Sequence, residues 1–423
     1  MSSLKLSVDK LDDFRLRLLV RQLENACENV PFYEAFFRKQ KLRPRDITSI
    51  TDLSKLPIVT KEIILQDARQ FINRHYPAKK CRISFSSGST GEPFRSYFDL
   101  TSWFRKKYYS KLRARHKCGL RVGEKIAIFE AETPDELTKK NYLLRYIRLP
   151  YHVQIFSIFD DLNVTYEKVT KFNPQNYYGP PGYLFHLAQT QSQHAIQSKK
   201  LKRIFTASEY LSQNVRDYLE RSFQAFVFDH YGCTETKEVA WQCHERNGYH
   251  INEDEVICEI LDGSNAVPDG EVGDIVLTDL RNRAMPFIRY RIGDRGMMLK
   301  ESCPCGLSFK LMRPVAGRDS EYIFLPGGER LSPYLLTTAI EKVSGLLKYQ
   351  IIQKDEKKML VKVVIETGMH DISLKQIEDN LQQVVQNKLE VVIKVCDQIG
   401  IGDNGKFKVV KNEMVDLKKE NIK

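Results

Sequence analysis

The sequence predicts an α/β protein with a large N-terminal domain of helix-covered mixed sheets, a small β subdomain within it, and a small mobile C-terminal α+β domain. Apolar runs at 126–129 and 153–159 alternate with helical segments, as in mixed or parallel sheets covered by helices. The pattern then changes to short strands, at 256–261 and 274–280, which predict an antiparallel hairpin. Residues 321–423 combine helices and strands in the order of a compact α+β module.

The N-terminal segment predicts two helices. Leu11, Phe14 and Leu18 recur at helical spacing until Pro31 stops the pattern, which indicates an amphipathic helix. Thr60 is a suitable N-cap for the next helix.

Further elements follow along the chain. Residues 206–209 have the pattern of a capping box, which predicts a helix that continues to about Phe223 and is followed by a strand at 225–229. In the C-terminal module the pattern predicts, in order, a helix at 333–343, strands at 349–353 and 359–365, a helix at 374–389 and a strand at 391–396.

Length and composition limit the classes of protein. The chain has 423 residues, too many for one compact core, and its 42% hydrophobic and 28% charged residues exclude disordered and fibrous classes. It lacks an apolar run of about 18 residues and an N-terminal signal, so we expect no membrane span and a cytoplasmic location. Nine scattered cysteines do not form a secreted disulfide framework and are expected to be reduced thiols.

The net charge of +12 suits nucleic acid, an acidic carrier protein or a phosphorylated ligand. We expect the densest basic block to be a solvated helix, with a binding patch as the alternative. This block comprises Arg105, Lys106, Lys107, Lys111, Arg113, Arg115 and Lys117.

A run of small residues follows a short alternating strand at 82–86. Backbone N–H groups and hydroxyls in such a run can surround a phosphate, although an ordinary solvated turn has the same composition. The spacing is not that of a Walker loop. The run consists of Ser86, Ser87, Gly88, Ser89, Thr90 and Gly91.

A second candidate lies at the end of the strand predicted at 225–229. Tyr231 and Gly232 are followed by Thr234 and Glu235, and in open α/β sheets ligands bind at the carboxyl ends of strands. A glutamate there can hold Mg²⁺ while the tyrosine stacks on a base. A loop with a solvated glutamate is the alternative.

Two later segments carry charged residues in predicted turns. Within 286–294, Asp294 is suited to bind both hydroxyls of a ribose, whereas Arg289 and Arg291 could pair with phosphate or with structural carboxylates. The glycine-bounded loop 402–408 presents lysines that could reach a phosphate, with a surface tail as the alternative.

Cysteine and histidine residues suggest a metal site. Two short pairs from different parts of the chain are what a closed tetrahedral Zn²⁺ site requires, and free thiols are the alternative. The candidate ligands are Cys243, His250, Cys303 and Cys305, with His244 and Cys258 as substitutes.

Taken in order, these motifs resemble the phenylacetate-CoA ligase branch of the adenylate-forming superfamily, and within it the capsule-biosynthesis (CapK-like) relatives. The resemblance covers nearly the whole chain, from Val-Pro-Phe-Tyr at 30–33 and Leu-Pro-Ile-Val-Thr-Lys at 56–61 to Lys406. It implies that the loop 86–91 binds the ATP phosphates. It also implies that Tyr231 lies against adenine and that Glu235 holds Mg²⁺, in the motif that includes Gly232 and Thr234. Asp294 would bind ribose, and Arg318 would support the nucleotide near the hinge. Lys406 would be the mobile catalytic lysine.

The resemblance also implies domain bounds and further sites. Residues 1–316 would bind ATP and the carboxylate and include a zinc-bearing β subdomain at about 243–316, while 317–320 would be the hinge and 321–423 the lid. The zinc ligands would be Cys243, His250, Cys303 and Cys305, and the acyl pocket would lie near Tyr178, Gly179, Ser208 and Glu209.

The implied function is an AMP-forming ligase that uses ATP, Mg²⁺ and a structural Zn²⁺ and transfers the acyl group of a carboxylic acid to coenzyme A. An amine, a sugar or a carrier protein is the alternative acceptor, as in capsule or secondary-metabolite biosynthesis, and a homodimer stays open. A basic, zinc-containing nucleic-acid-binding protein is an alternative of another class. A non-catalytic member is a third, because Glu92 stands where the loop often has lysine and Ser320 where the hinge usually has an acidic residue.

Overall fold

The structure is a computed structural model of the chain, and it divides into two compact units. The first unit comprises residues 1–119 and 230–315, and the second comprises 120–229 and 316–423. The residues described are 3–86, 94–131, 151–192, 201–318, 322–327, 329–331, 333–341, 343–366, 368, 370–400 and 407–414.

The elements are as follows. The α-helices within the described residues are α1 (Val8–Asn29), α2 (Pro31–Gln40), α3 (Lys61–Gln66), α4 (Leu100–Phe104), α5 (Ser110–Lys117), α6 (Leu162–Phe172), α7 (Pro181–Ser192), α8 (Gln213–Phe223), α9 (Pro333–Ile340) and α10 (His370–Val384). A π-helical segment, Arg105–Tyr109, joins α4 to α5, and short 3-10 helices span Ser3–Lys5, Pro44–Asp46, Ile50–Lys55, Ala68–Phe71 and Ala78–Lys80. The strands are β1 (Arg82–Ser86), β2 (Phe94–Phe98), β3 (Lys125–Glu130), β4 (His152–Ser157), β5 (Asn176–Gly179), β6 (Arg203–Thr206), β7 (Phe226–Cys233), β8 (Lys237–Trp241), β9 (Tyr249–Ile251), β10 (Val256–Asp262), β11 (Asn265–Ala266), β12 (Gly273–Asp279), β13 (Tyr290–Met298), β14 (Leu311–Arg318), β15 (Ile323–Phe324), β16 (Arg330–Leu331), β17 (Leu346–Gln353), β18 (Lys358–Ile365), β19 (Glu390–Val395) and β20 (Val410–Asn412).

The two N-terminal helices predicted from the sequence are confirmed. Helix α1 buries Leu11 and Leu23 along one face. Pro31 ends it and also begins α2, because proline is tolerated at the first helical position. The N-cap of α3 is Thr60, whose Oγ1 accepts a hydrogen bond from the N–H of Ile63 at 3.4 Å.

In the first unit the sheet order is β11-β10-β12-β13-β14-β9-β8, followed by the end of β7. Strands β10 and β12 pair antiparallel, as predicted. The turn expected within 286–294 is wrong in part, because residues 290–294 lie in β13. The register of β13 against β12 shifts between Arg291 and Arg295, and Gly293 has a φ of +83°. Asp294 therefore lies in a bulge, where a strand can redirect a side chain.

The small-residue run lies in the connection of a β-hairpin. Strands β1 and β2 pair antiparallel, and Ser86 is the partner of Phe94. The segment that contains the predicted loop therefore follows Ser86 and precedes Phe94, which are partners in one hairpin. Its residues 87–93, which include Glu92, lie outside the described part of the chain.

The second unit contains a parallel sheet in the order β4-β3-β5-β6, with residues 226–229 of β7 next to β6. Helices α6, α7 and α8 connect these strands in the sequence, as the alternating pattern predicted. The C-terminal module has a sheet in the order β19-β18-β17-β20, and its predicted helices and strands are confirmed. Helix α10 ends at Val384, earlier than predicted, and Gln386 and Asn387 then adopt left-handed conformations.

The capping box predicted at 206–209 is wrong. Thr206 is the last residue of β6, and its hydroxyl bonds to the carboxylate of Asp229 at 2.5 Å. Helix α8 starts later, where the Ser212 hydroxyl accepts from the N–H of Val215. Because the Thr206 hydroxyl is bonded to Asp229, it does not cap the following helix.

The solvated helix predicted for the basic block is also wrong. Lys106, Arg113 and Arg115 are buried, with exposed fractions of 0%, 2% and 6%. Opposite them lies the segment 252–255, four polar residues that are all at most 2% exposed. The basic helix therefore supplies internal counterions to buried carboxylates.

Individual contacts define this network. Arg113 donates to Asp254 Oδ2 at 2.6 Å and to Oδ1 at 2.9 Å. Arg105 pairs with Glu255, and the Lys106 ammonium lies 3.2 Å from Asp279. Each bond neutralises a charge that would be costly to bury alone.

No helix within the described residues is both long enough and apolar enough to cross a lipid bilayer.

We expect Arg113→Met to lower the free energy of unfolding by about 3–5 kcal/mol, because it leaves the Asp254 carboxylate buried without its paired cation. Urea denaturation of the full chain measures this change. Lys117→Met is the matched control on the same helix, since Lys117 is exposed and its loss should cost less than about 0.5 kcal/mol. Equal losses in both variants would contradict a stabilising role for the buried pair.

Candidate active site

The Tyr-Gly-Cys-Thr-Glu motif lies where β7 turns into β8. Tyr231 and Gly232 are in β7 beside a register shift, and Thr234 and Glu235 form the turn that follows. A Cβ atom on Gly232 would lie 2.2 Å from the carbonyl oxygen of Lys237. Only glycine therefore permits this close approach of the two strands.

Tyr231 and Asp294 are brought together. The Tyr231 hydroxyl donates a hydrogen bond to Asp294 Oδ2 at 3.0 Å, although the two residues are 63 positions apart. Burial, together with the charge of Asp294, raises the pKa of Tyr231 well above its ordinary value. The residue predicted to stack on adenine thus holds the residue predicted to bind ribose.

Glu235 is held in the same way by a second tyrosine. The Tyr290 hydroxyl donates to Glu235 Oε1 at 3.1 Å, and the two residues are 1% and 8% exposed. Burial and the adjacent carboxylate raise the pKa of Tyr290, so that it stays a donor. The carboxylate therefore has a fixed orientation, as a Mg²⁺ ligand requires.

The structure says less about the other residues that the sequence predicts to bind the nucleotide. Ser86 is the last residue of β1 and Arg318 the last of β14. Residues 87–91 and Lys406 lie outside the described part of the chain, so their roles stay predictions.

Arg289 and Arg291, which the sequence left undecided, both pair with carboxylates. Arg289 forms an ion pair with Glu259 at 3.0 Å, and Arg291 forms one with Asp274 at 3.4 Å. Both arginines therefore have structural partners.

The residues predicted for the acyl pocket belong to the second unit. Tyr178 and Gly179 end β5, and Ser208 has a φ of +79° after β6. A left-handed conformation is uncommon for serine and indicates that the surrounding structure holds this turn in place.

Glu209 has partners that the sequence did not indicate. Its Oε2 accepts from the N–H of Gly182 at 2.9 Å, and its Oε1 accepts from the N–H of Phe407 at 2.6 Å. Phe407 directly follows Lys406, so Glu209 holds the chain next to the predicted catalytic lysine. The Phe407 ring in turn lies 4.3 Å from the buried ammonium of Lys348.

Lys237 was missed by the sequence analysis. It begins β8 with a φ of +64°, and its ammonium donates to the hydroxyl of Ser84 in β1. Burial lowers the pKa of Lys237 to about 8, with the ammonium groups of Lys107 and Lys111 acting in the same direction. Sequence spacing contains no signal for this residue, because its partner lies 153 positions away.

The predicted metal ligands do come together. The ligand atoms of Cys243, His250, Cys303 and Cys305 lie within 4.8 Å of one another. A tetrahedron with Zn–S bonds of about 2.3 Å places its sulfur atoms about 3.8 Å apart, and the Sγ atoms of Cys243 and Cys303 are separated by 3.5 Å. The four residues therefore fit a zinc ion in number, type and spacing.

The surroundings of the four residues also suit a metal. His250 Nδ1 lies 3.1 Å from the carbonyl oxygen of Phe309. The other ring nitrogen, Nε2, faces the Cys305 sulfur at 3.3 Å. Such a bond fixes the tautomer of a metal-binding histidine. The substitutes named from the sequence do not join the group, since His244 pairs with Glu245 and Cys258 lies in β10.

Comparisons with known proteins agree with the motifs. Residues 323–413 match the CapK C-terminal domain family. The chain is 26% identical to phenylacetate-coenzyme A ligase of Aromatoleum evansii over 94% of this chain and 92% of that protein. It is 24% identical to protein CapK of Staphylococcus aureus over 80% of this chain and 75% of that protein.

A solved structure supports the fold. The crystal structure of 2-hydroxyisobutyryl-CoA ligase in the postadenylation state, in complex with R3-HIB-AMP, aligns with 99% of this chain and 94% of its own, with a TM-score of 0.80 and 18% identity. The predicted fold class is therefore confirmed. The chain is similar in sequence to phenylacetate-coenzyme A ligase and to protein CapK, and it has the fold of the 2-hydroxyisobutyryl-CoA ligase structure, as its motifs indicated.

Proposed function

We propose that this protein activates a carboxylic acid with ATP and transfers the acyl group to coenzyme A. A carboxylate oxygen attacks the α-phosphorus and pyrophosphate leaves, which gives an acyl-adenylate. The thiol sulfur then attacks the acyl carbon, loses its proton, and AMP leaves. The observation that carries the proposal is the pairing of Tyr231 with Asp294 beside the oriented Glu235, in a chain related along nearly its whole length to phenylacetate-CoA ligases.

Each residue of this group has a proposed role. Asp294 accepts hydrogen bonds from the ribose hydroxyls, and the ring of Tyr231 lies against adenine. Glu235 ligates Mg²⁺, which neutralises charge on the phosphates. Gly232 and Thr234 shape the same turn. These roles need no protein nucleophile.

The proposed catalysis is electrostatic. Lys406, the loop 86–91 and Mg²⁺ would stabilise the charge that builds up on the phosphates, with Arg318 near the hinge. We retain the division into a binding domain (1–316), a hinge (317–320) and a lid (321–423) as part of the proposal. A lid of this kind gates successive steps.

The acid pocket is proposed to lie near Tyr178, Gly179, Ser208 and Glu209. The first two end a parallel strand, the position at which α/β sheets bind ligands. Gly179 is close to the ring of Phe129, because a Cβ atom there would lie 3.0 Å from the Phe129 Cβ.

We also propose that Cys243, His250, Cys303 and Cys305 hold a structural zinc ion. Four protein ligands close the coordination shell, so the metal would stabilise the fold and take no part in the reaction. It would join the end of the β8–β9 hairpin to the segment before β14.

An amine, a sugar or a carrier protein as the acceptor is the second candidate. The match of residues 323–413 to the CapK C-terminal domain favours it, since these residues lie in the lid, which we propose moves away after adenylation and admits the acceptor. The formation of the acyl-adenylate is the same for both candidate acceptors. A nucleic-acid-binding function loses its main support, because members of the basic block are buried in ion pairs.

The proposed activity predicts ATP-dependent hydroxamate formation. Purified protein with Mg-ATP and hydroxylamine should convert at least one member of a panel of aryl and short aliphatic acids, and release AMP and pyrophosphate in equal amounts. Formation of ADP, or no AMP with any acid, would contradict it. Replacing hydroxylamine with coenzyme A or amines then identifies the acceptor.

Lys406→Ala should slow carboxylate-dependent exchange of pyrophosphate into ATP by about 10²-fold or more, because it removes a cation from the developing negative charge. Lys394→Ala is the matched control, an exposed lysine of the same module. Unchanged exchange in Lys406→Ala would remove the assigned role.

The zinc proposal predicts about one zinc ion per chain by elemental mass spectrometry. Cys303→Ser should lose the metal and lower the Tm by roughly 5–10 °C, which corresponds to about 2.7 kcal/mol of binding-linked stability. Cys27→Ser, at a half-buried cysteine outside the group, should retain zinc. Protein purified without chelators and found free of zinc would contradict the site.

A further inference from the structure

A buried lysine and a buried histidine meet where helix α7 packs against the C-terminal module. Lys348 lies in β17 and is 2% exposed, and His186 lies in α7 and is 7% exposed. Leu347 and Ile399 of the module belong to the same apolar cluster as Leu187 of α7. All these residues are part of the second unit. Both ionisable groups are therefore buried at the contact between the module and the helix.

The two groups share one carbonyl oxygen. The Lys348 ammonium donates to the carbonyl oxygen of Ile399 at 3.1 Å, and His186 Nε2 lies 3.0 Å from the same oxygen. The two nitrogen atoms are 3.3 Å apart. A neutral imidazole can accept a hydrogen bond from the ammonium at Nε2, whereas an imidazolium places a second positive charge beside it. This buried cluster therefore accommodates one positive charge.

The surrounding groups act in both directions. Glu209 favours the charged ammonium of Lys348, although among the described residues it forms no direct ion pair with that group. The centroid of the Phe407 ring lies 4.3 Å from the ammonium and also favours its charge. His186 Nδ1 lies 3.1 Å from Gln189 Oε1, so an imidazolium has acceptors at both nitrogens. Burial, and then the charge of Lys348, outweigh these acceptors and lower the pKa of His186 to about 4.

Docking of the module should weaken as the pH falls. Away from the module, His186 has the ordinary histidine pKa of about 6.5. Its docked pKa is lower, so the free helix takes up a proton, and docking loses stability as the pH falls below about 6.5. Burial also lowers the pKa of Lys348, to about 8, but between about pH 5 and pH 7 its ammonium is charged in both positions. His186 is therefore the group of this cluster that changes charge near neutral pH.

We infer that His186 and Lys348 form a proton-sensitive contact, which holds the C-terminal module on α7 while the imidazole is neutral and releases it when the imidazole takes up a proton. The inference goes beyond the proposed function, in which the module acts as the lid. The docked module also donates the N–H of Phe407 to the carboxylate of Glu209. This hydrogen bond joins the module to the part of the unit that contains α7, so it reports docking.

Hydrogen–deuterium exchange followed by mass spectrometry tests the contact in the full chain without substrate. The reporter is the Phe407 amide, and the reference is the set of amides of β18, which pairs with β17 and β19 inside the module. After correction for intrinsic exchange, protection of the Phe407 amide should be about tenfold lower at a pH of about 5.5 than at about 7.5, because release takes up one histidine proton. Protection of the β18 amides should stay within about twofold.

Three variants locate the proton. His186→Gln can accept from the ammonium and donate to the Ile399 carbonyl but cannot titrate, so its Phe407 protection should match that of the unchanged protein at the higher pH and stay within about twofold at the lower one. Lys348→Met removes the neighbouring charge and should give a pH effect between those of the unchanged protein and His186→Gln. His152→Gln, at an exposed histidine of β4 in the same unit, is the matched control and should keep the effect of about tenfold.

Three results would overturn the inference. The first is equal protection of the Phe407 amide at both pH values in the unchanged protein. The second is a His186→Gln variant that keeps the pH effect or lacks protection at both pH values. The third is a parallel loss of protection in β18, which indicates that the module unfolds instead of leaving the helix. Because no substrate is present, these results are independent of the proposed function, which hydroxamate formation tests.

Discussion

The first unit depends on the neutralisation of a buried polar segment, residues 252–255. Burying a carboxylate without a partner costs several kcal/mol, and here the cations come from Arg15 in α1 and from Arg105 and Arg113 on the basic helix. Because these partners precede the segment by more than a hundred residues, the ion pairs join the two stretches of chain that make up the unit. Burial acts to raise the pKa of Asp254, but the hydrogen bonds and charge of Arg113 outweigh it and the pKa is lowered. The Arg113–Asp254 pair therefore contributes fully to stability at pH values above the ordinary carboxylate pKa. This contribution is lost as the pH falls through the lowered pKa of Asp254.

The features that the sequence could predict are those specified locally or by the order of motifs. Helix α1 is defined by its own apolar spacing, and the metal ligands by residue type, so both could be proposed without coordinates. The role of Arg113 could not be predicted, because the sequence of a charged helix indicates which residues share a face but not which carboxylate will pack against that face. The capping box predicted at Thr206 was wrong for the same reason. The Thr206 hydroxyl is bonded to Asp229, a partner that only the tertiary structure reveals.

The candidate active site and the candidate metal site occupy two ends of the same short strand. Strand β8 begins just after Glu235 and ends just before Cys243. A metal that joins Cys243 to the segment of Cys303 would therefore limit movement of the strand that carries Lys237. This arrangement gives a physical reason for a structural metal in an enzyme whose proposed chemistry does not use it, because electrostatic catalysis needs charges held in fixed positions.

The contact of Glu209 with Phe407 has a consequence for specificity engineering. The bond uses the backbone N–H of residue 407, which every amino acid except proline provides, so it depends on the identity of residue 209 alone. Residue 209 is also a proposed wall of the acid pocket. A substitution chosen to admit a different acid would therefore also release the chain beside Lys406, and altered turnover could be mistaken for poor substrate fit. Tyr178, whose backbone is fixed within the parallel sheet, is the safer position at which to redesign the pocket.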